Sequence, residues 1–267
     1  MQTETPRQQT RDQRKRLCLV IPTLNERDNI TNLLTRMKDL ESGLPFDLTL
    51  LVVDDNSDDG TAEVVKETMQ RWERVKIIQR PAPAGIGSAY LEGFRYGVRE
   101  LKCDYLGEMD ADLQHPPEAL VKMCETAREG VDVVIASRYV AGGGSSGWSF
   151  SRRVVSRGAN FLSRIFIRSP VADTTSGFRV LSARAIVGLL SFEMSGKGFA
   201  FQVESLYIYK KLGMSFAEVP YVFQERQVGK TKLRVKELLH FAYVVLKVGI
   251  FGVKRSRGDA QVQDSAI

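Results

Sequence analysis

The sequence predicts an α/β fold, a mainly parallel sheet with helices on both faces. Three observations predict it: from residue 17 short β-branched runs alternate with longer amphipathic ones, polar or acidic clusters stand at three of the strand ends, and no internal repeat or low-complexity linker divides the chain. Alternation of this kind is the trace that crossover helices leave between parallel strands. In such a sheet the ligand crevice lies at the carboxyl ends of the strands.

The elements follow in order. RLCLVIPT, DLTLLVVDD, RVKIIQR, CDYLGEMD and VDVVIASR have the β-branched, apolar character of strands. Between them ERDNITNLLTRMKDL, DDGTAEVVKETMQRW, GSAYLEGFRYGVREL and PPEALVKMCETAREG have helical spacing, with Pro116 and Pro117 placed for a helix start. After Arg138 the alternation fades into a glycine-rich loop, AGGGSSGW, and a basic helix from about Ser151 to Arg168. A short strand at FRVLS, a helix, a second helix near FQVESLYIYKKLG and the strand SFAEVPYVF complete the pattern. The expected organisation is a disordered basic tail at 1–16, one domain at 17–235, an amphipathic helix at 236–254 and a polar tail at 255–267.

Composition narrows the function classes. With 267 residues, 43% of them hydrophobic, the chain can bury a full core. Cys18, Cys103 and Cys124 are odd in number and widely spaced, which argues against a disulfide framework or a zinc cluster and fits a reduced cytosolic protein. The net charge of +6 favours anionic partners without choosing among them. No signal-peptide pattern follows MQTETPRQQTRDQRKR, and no segment reaches the roughly 20 uninterrupted apolar residues of a membrane span. The nearest approach, Leu238 to Lys254, is interrupted by His240 and Lys247; it reads as an interfacial helix, a docking surface for a membrane partner, or a core helix. Asn29 heads a glycosylation triplet but sits in an expected helix of a chain with no secretion signal.

The chemistry concentrates at MDADLQH, residues 109–115, where an apolar strand runs into two carboxylates. Side chains two apart on a strand share a face, so Asp110 and Asp112 are expected to face one ligand together. Mg2+ and Mn2+ are commonly held by one or two carboxylates while substrate phosphates and water fill the remaining positions. The competing reading is an acidic turn capping the helix that starts at Pro116. Other phosphate-binding motifs fail on inspection. The first strand runs into PTLNE rather than G-x-G-x-x-G, GIGSAY (85–90) lacks the last glycine of that motif and reads as a close turn opening a helix, and Gln224 stands where a Walker A loop before Gly229-Lys230-Thr231 needs glycine. Hydrolase chemistry has little support: no cysteine has an evident partner, and of the two histidines His115 reads as a supporting or surface residue rather than a base.

Nine motifs in order, VIPTLNERDNI, VVDDNSDDGT, GIGSAYLEGF, MDADLQHPP, VVIASRYVAGG, SRRVVSRGANFL, DTTSGFRVLS, KGFAFQVE and ERQVGKTKL, resemble the dolichol-phosphate mannose synthases, inverting family 2 glycosyltransferases with a GT-A-type nucleotide-sugar-binding fold. The resemblance covers roughly residues 17 to 235. It implies that Pro22, Glu26, Val53 and Asp55 contact the guanosine nucleotide of GDP-mannose. It also implies that Asp110, Ala111 and Asp112 hold a divalent metal (Mg2+ or Mn2+) and the diphosphate, with Gln114 a further metal ligand. Arg138, Arg226 and Lys232 match the basic residues around the phosphates, and Arg138, Arg152 and Ser156 the site of the lipid phosphate; Asp112, Arg138 and Arg226 are the implied catalytic residues. The family usually has tyrosine where this chain has Leu24, which puts that position's part in donor binding in question.

The implied reaction moves mannose from GDP-mannose to a polyprenyl (dolichyl) phosphate with inversion. A phosphate monoester with a second pKa of about 6 is largely ionised near neutral pH and needs no general base, so what the acceptor site requires is cations. Arg138 and Arg152 suit that role, and Asp173 reads as their orienting partner, a base or a loop cap. The helix from Ser151 to Arg168 interleaves arginines with Phe161, Leu162, Ile165, Phe166 and Ile167, as a segment against lipid headgroups does and as a solvated helix packed on a sheet also does. Peripheral contact with the cytosolic face of a membrane is expected, with room for a small membrane subunit as partner. A polyprenyl-phosphate glucosyltransferase using UDP-glucose is the alternative within the same fold. A nucleic-acid partner is not expected, because the cations cluster in the tail and at the phosphate motifs while the strand ends are acidic.

Overall fold

Strand β1 (Arg16–Thr23) is the spine of the sheet, pairing in parallel with β2 (Asp47–Asp54) on one side and β4 (Tyr105–Glu108) on the other, while β3 (Val75–Gln79) adds outside β2. The computed structural model describes residues 14–196, 198–224 and 235–256. Residues 1–13 of the expected basic tail, 257–267 of the polar tail, and Arg226 and Lys232 lie outside them. Arg16, counted with the tail, is the first residue of β1.

The strand sequences are continuously apolar because both faces of the sheet are covered. Leu17, Leu19 and Ile21 enter one core layer with α1 (Arg27–Leu40), α2 (Thr61–Arg71) and α4 (Ala119–Arg128). Cys18 and Val20 enter the other with α3 (Ile86–Arg99). All three cysteines are free and buried.

The sheet is mixed rather than simply alternating. Its order is β3-β2-β1-β4-β7-β5-β8, and β7 (Arg179–Ser182) runs antiparallel between β4 and β5 (Val133–Ser137), with β8 (Phe216–Pro220) parallel to β5. The long excursion after Arg138, through β6 (Gly144–Ser145) and helix α5 (Phe150–Ile167), brings the chain back to the same carboxyl end of the sheet, so that β7 starts at Arg179 beside Glu108 and runs backwards. Ser149 caps α5 by accepting from the Arg152 amide, and Arg168 ends it in the left-handed region at φ 50°. The strand expected over SFAEVPYVF is divided in two. Pro220 has no amide hydrogen to continue a ladder, and the chain turns out to β9 (Val222–Phe223), which pairs with β6.

Three helices, α6 (Ala183–Leu190), α7 (Phe199–Lys211) and α8 (Val235–Phe251), complete the second layer. Helix α8 packs against α5 and stops at Phe251, before Gly252 at φ 72°, three residues short of the expected end. Helix α4 begins at Ala119, because Pro116 and Pro117 spend the preceding turn in three-residue bonds from Ala119 N to Pro116 O and from Leu120 N to Pro117 O.

Asp132 holds the mixed part together. Its carboxylate accepts from Ser182 Oγ (2.9 Å) at the end of β7, from Arg184 Nη2 (2.6 Å) on α6, and from Ser215 N (3.0 Å) before β8. Burial by itself raises its pKa, but Arg184 and the serine hydrogen bonds pull it down to about 2. A depressed carboxylate stabilises the fold above its unfolded pKa of about 3.9, and that contribution is lost as pH falls towards 2. Asp132→Asn is therefore expected to cost about 2 kcal/mol at pH 7, with the gap to wild type closing below pH 4; urea unfolding over that range measures it.

Candidate active site

The carboxyl ends of β1, β2 and β4 lie side by side and carry the three polar clusters. Asp54, fully buried at the end of β2, accepts from Thr23 Oγ1 (2.9 Å), Ser57 N (3.0 Å) and Ser57 Oγ (2.6 Å), so it locks two strand ends into one rim. Its neighbour Asp55 accepts from the amide of Gly85 (3.2 Å), whose φ of 88° turns the chain sharply into α3. Arg80, buried just after β3, forms an ion pair with Asp55 (Nη1 to Oδ1, 3.0 Å) that lacks hydrogen-bond alignment, and it donates to Ser88 Oγ (3.0 Å). Sequence reading passed over Arg80; its signal was an arginine directly following the short strand VKIIQ.

Pro22, Glu26, Val53 and Asp55 thus stand along one rim. Glu26 precedes α1, donates its amide to Thr61 Oγ1 (3.1 Å) and accepts from Asn29 Nδ2, which leaves Asn29 buried rather than displayed for glycosylation. Leu24, at 49% exposure, projects from the same rim.

The acidic pair converges for a different reason than strand alternation. β4 ends at Glu108, and residues 111–115 fold into a turn with Leu113 at φ 61°. The Gln114 amide donates to Asp112 Oδ1 (3.1 Å), the Asp110 amide donates to His115 Nδ1 (3.2 Å), and Tyr90 Oη donates to Asp110 Oδ1 (3.3 Å). Gln114 is tied to residue 224 by bonds in both directions. His115 is buried, not at the surface: its ring stacks on Phe178 at 5.2 Å and meets Tyr221 and Phe223 edge-on. Burial pushes its pKa down to about 4, and an imidazole that accepts an amide hydrogen at Nδ1 carries its proton on Nε2. Beneath the turn, burial pushes Glu108 up to about 7 beside fully buried Arg179, which donates to Ser205 Oγ and three backbone carbonyls.

A cavity of about 320 Å³ joins this turn to the basic helix; Asp110, Asp112, Gln114, Arg138, Arg152 and Ser156 all line it. Pro22, Glu26, Val53, Asp55 and the buried Ala111 lie outside it, Gly85 and Ile86 linking the two regions. Arg138 is gripped by Asp173 in a fork, Nε to Oδ2 at 2.7 Å and Nη2 to Oδ1 at 2.6 Å, with its amide on Oδ2 (3.0 Å) and Nη2 on Thr175 Oγ1 (2.8 Å). Burial alone lowers the Arg138 pKa, yet the charge and hydrogen bonds of Asp173 hold it above the ordinary arginine value. Asp173 is in turn fixed by its own amide and that of Ala172, which donate to Glu218. Asp173 is therefore the orienting partner of Arg138. Ser156 accepts from Tyr139 Oη (2.8 Å) across the cavity wall, and Arg152 lies over Trp148.

Asp110, Asp112 and Gln114 suit a hard divalent cation: two carboxylates and a side-chain amide, all oxygen donors, in a site open to a phosphate ligand. Among the described residues no group of three or more acidic, histidine or cysteine side chains is gathered, so an ion here would complete its shell from a diphosphate and water.

Solved structures share this arrangement of elements. Mannosyl-3-phosphoglycerate synthase from Rubrobacter xylanophilus superposes with a TM-score of 0.62 at 20% identity, covering 87% of this chain and 72% of that one. Glucosyl-3-phosphoglycerate synthase from Mycobacterium tuberculosis, crystallised with Mn2+, UDP-glucose and phosphoglyceric acid, does so with a TM-score of 0.59 at 19% identity, covering 88% and 79%. The shared arrangement is the GT-A fold of glycosyltransferases. More particularly, the chain belongs to glycosyl transferase family 2, whose family model matches residues 18–189. A polyprenol monophosphomannose synthase of Mycolicibacterium smegmatis is 35% identical over 246 residues, 91% of each protein. A dolichol-phosphate mannosyltransferase of Pyrococcus furiosus is 36% identical over 228 residues, 85% of this chain and 61% of that protein.

Removing one partner of a buried ion pair leaves an uncompensated charge. Asp173→Ala is expected to destabilise the fold by about 3–5 kcal/mol, and adding Arg138→Met to restore most of it; chemical denaturation of the two variants checks this.

Proposed function

We propose that this glycosyltransferase moves mannose from GDP-mannose to the phosphate of a polyprenol, with inversion at the anomeric carbon. The observation that carries the reading is the single cavity in which the D-A-D turn and two arginines face one another beside an apolar surface. The names of the two relatives described above support both the sugar and the lipid class.

In this reading Pro22, Glu26, Val53 and Asp55 take the guanosine, and the turn at 110–112 takes the diphosphate. A bound Mg2+ or Mn2+, held by Asp110, Asp112 and Gln114, supplies Lewis-acid neutralisation of the departing diphosphate; a Mn2+ complex of a structural neighbour supports that choice of ion class. Arg226 and Lys232, outside the described residues, are assigned to the phosphates by their motif alone. On the opposite side Arg138 and Arg152, with Ser156, hold the acceptor phosphate. Those fixed positive charges offset the repulsion between two phosphate-bearing substrates in a space with little water to screen it. No base is required, since the acceptor oxygen arrives ionised.

A lipid acceptor requires contact with a bilayer. Helix α5 presents Phe150 (82% exposed) and Phe161 (67%), with Val154 and Ile165, among exposed Arg153, Arg157 and Arg164, and α8 beside it presents Leu239, Tyr243, Ile250 and Phe251 (83%). Apolar side chains ringed by arginines suit a headgroup boundary better than a solvated face. Among the described residues no helix is long and apolar enough to cross a membrane, so the proposed attachment is peripheral, on the cytosolic face. A small membrane subunit, where one exists, would share that face.

The test measures radiolabelled mannose passing from GDP-mannose into a lipid extract in the presence of manganese, with UDP-glucose as competitor. Asp112→Ala is expected to lower turnover at least about 10²-fold, the scale of losing one preorganised transition-state stabiliser, with circular dichroism unchanged. Preference for the uridine donor would overturn the choice of substrate, and near-normal turnover of the variant would overturn the role of Asp112. Arg152→Ala is expected to raise the KM for the lipid phosphate while leaving that for GDP-mannose unchanged, which steady-state kinetics in both substrates measures.

A further inference from the structure

The glycine-rich stretch AGGGSSGW (141–148) has no part in the reading above, yet it delivers a buried tryptophan to the acceptor end of the cavity. Gly143 lets the stretch hug β5: a Cβ there would stand 2.5 Å from the Ser137 carbonyl oxygen. The loop is then stitched to β9 by the Gly144 amide on Tyr221 O (3.0 Å) and the Ser146 amide on Phe223 O (2.9 Å). Trp148 and Phe223 consequently meet edge to face, with ring centroids 5.2 Å apart at 70°.

Both acceptor-side cations lie over this aromatic pair. Arg152 Cζ is 4.4 Å and Arg138 Cζ 5.4 Å from the Trp148 centroid, and the same two atoms are 5.7 and 5.6 Å from that of Phe223. Arg138 has Asp173 and Thr175 to fix it. Arg152 sits on a helix whose neighbouring side chains Ser151 and Arg153 are exposed, and the indole face draws it inward by cation–π attraction, which strengthens away from water. Among the described residues Trp148 Nε1 finds no hydrogen-bond partner. A residue chosen only to fill space would avoid that cost, whereas one chosen for its π face accepts it.

We propose that Trp148 is a positioning residue for the acceptor: its indole sets the placement of the Arg152 guanidinium relative to Arg138, so that the two cations are ready to take one phosphate monoester. This rests on the reading that Arg138 and Arg152 hold the acceptor phosphate. Its consequence is selective, since the donor's contacts on the far rim do not involve Trp148.

The chain has two tryptophans, and the other, Trp72, is hydrogen-bonded to Glu41 and does not line the cavity. In a Trp72→Phe background, emission from Trp148 is expected to change saturably with farnesyl phosphate and not with GDP. Trp148→Leu is expected to raise the KM for farnesyl phosphate about tenfold, the scale of one well-placed cation–π contact, with the KM for GDP-mannose unchanged, and Trp148→Phe to recover most of the loss. Equal losses in the leucine and phenylalanine variants, or a rise in both KM values, mark a packing role and overturn the proposal. An unchanged farnesyl phosphate KM in Trp148→Leu overturns it while Arg152→Ala still raises that KM; if Arg152→Ala has no effect either, the acceptor reading itself fails. Should Trp148→Leu not fold, an emission unmoved by saturating farnesyl phosphate in the Trp72→Phe protein overturns the proposal.

Discussion

The buried fork between Arg138 and Asp173 is the interaction around which the cavity is built. Taking a guanidinium out of water is costly, and here three bonds to Asp173 and one to Thr175 offset that cost. Arg138 directly follows β5, and Asp173, in the segment before β7, is pinned through its amide to Glu218 of β8, so both are placed by the sheet. Facing them, the 110–115 turn is tied by its own backbone to His115 and to residue 224. Arginines on one wall and the carboxylates of Asp110 and Asp112 on the other thus place opposite fixed charges across one cavity.

The mixed sheet explains how those walls come to face each other. If the chain had continued in strict alternation, β5 would have paired directly with β4. Instead β7 is inserted antiparallel between them, which spaces the Arg138 end of β5 away from the Asp112 end of β4 and opens the cavity. Helices α5 and α8 then roof that gap, which is also where the exposed apolar side chains gather.

Much of this was legible in the sequence because it is local. The strand and helix runs up to Arg138 fall within a few residues of their observed ends, and the D-A-D turn, Arg138, Arg152 and Ser156 were named from motifs and meet in one cavity. What escaped depends on residues far apart in the chain. No pattern in FRVLS tells that the strand runs backwards; that is decided by the long excursion before it and by Asp132, which ties residues 182, 184 and 215. Arg80 beside Asp55, Glu218 behind Asp173 and Trp148 beneath Arg152 are likewise contacts across the fold. The expectation that Asp110 and Asp112 share a strand face is corrected in its geometry, since both follow β4 and a turn with one left-handed residue brings them to the cavity.

The most direct test of the central claim is a crystal structure of the protein soaked with GDP and Mn2+. The account predicts one ion held at Asp112, with the diphosphate of the nucleotide lying against the 110–112 turn. An ion bound elsewhere, or a diphosphate lying away from the 110–112 turn, would contradict it.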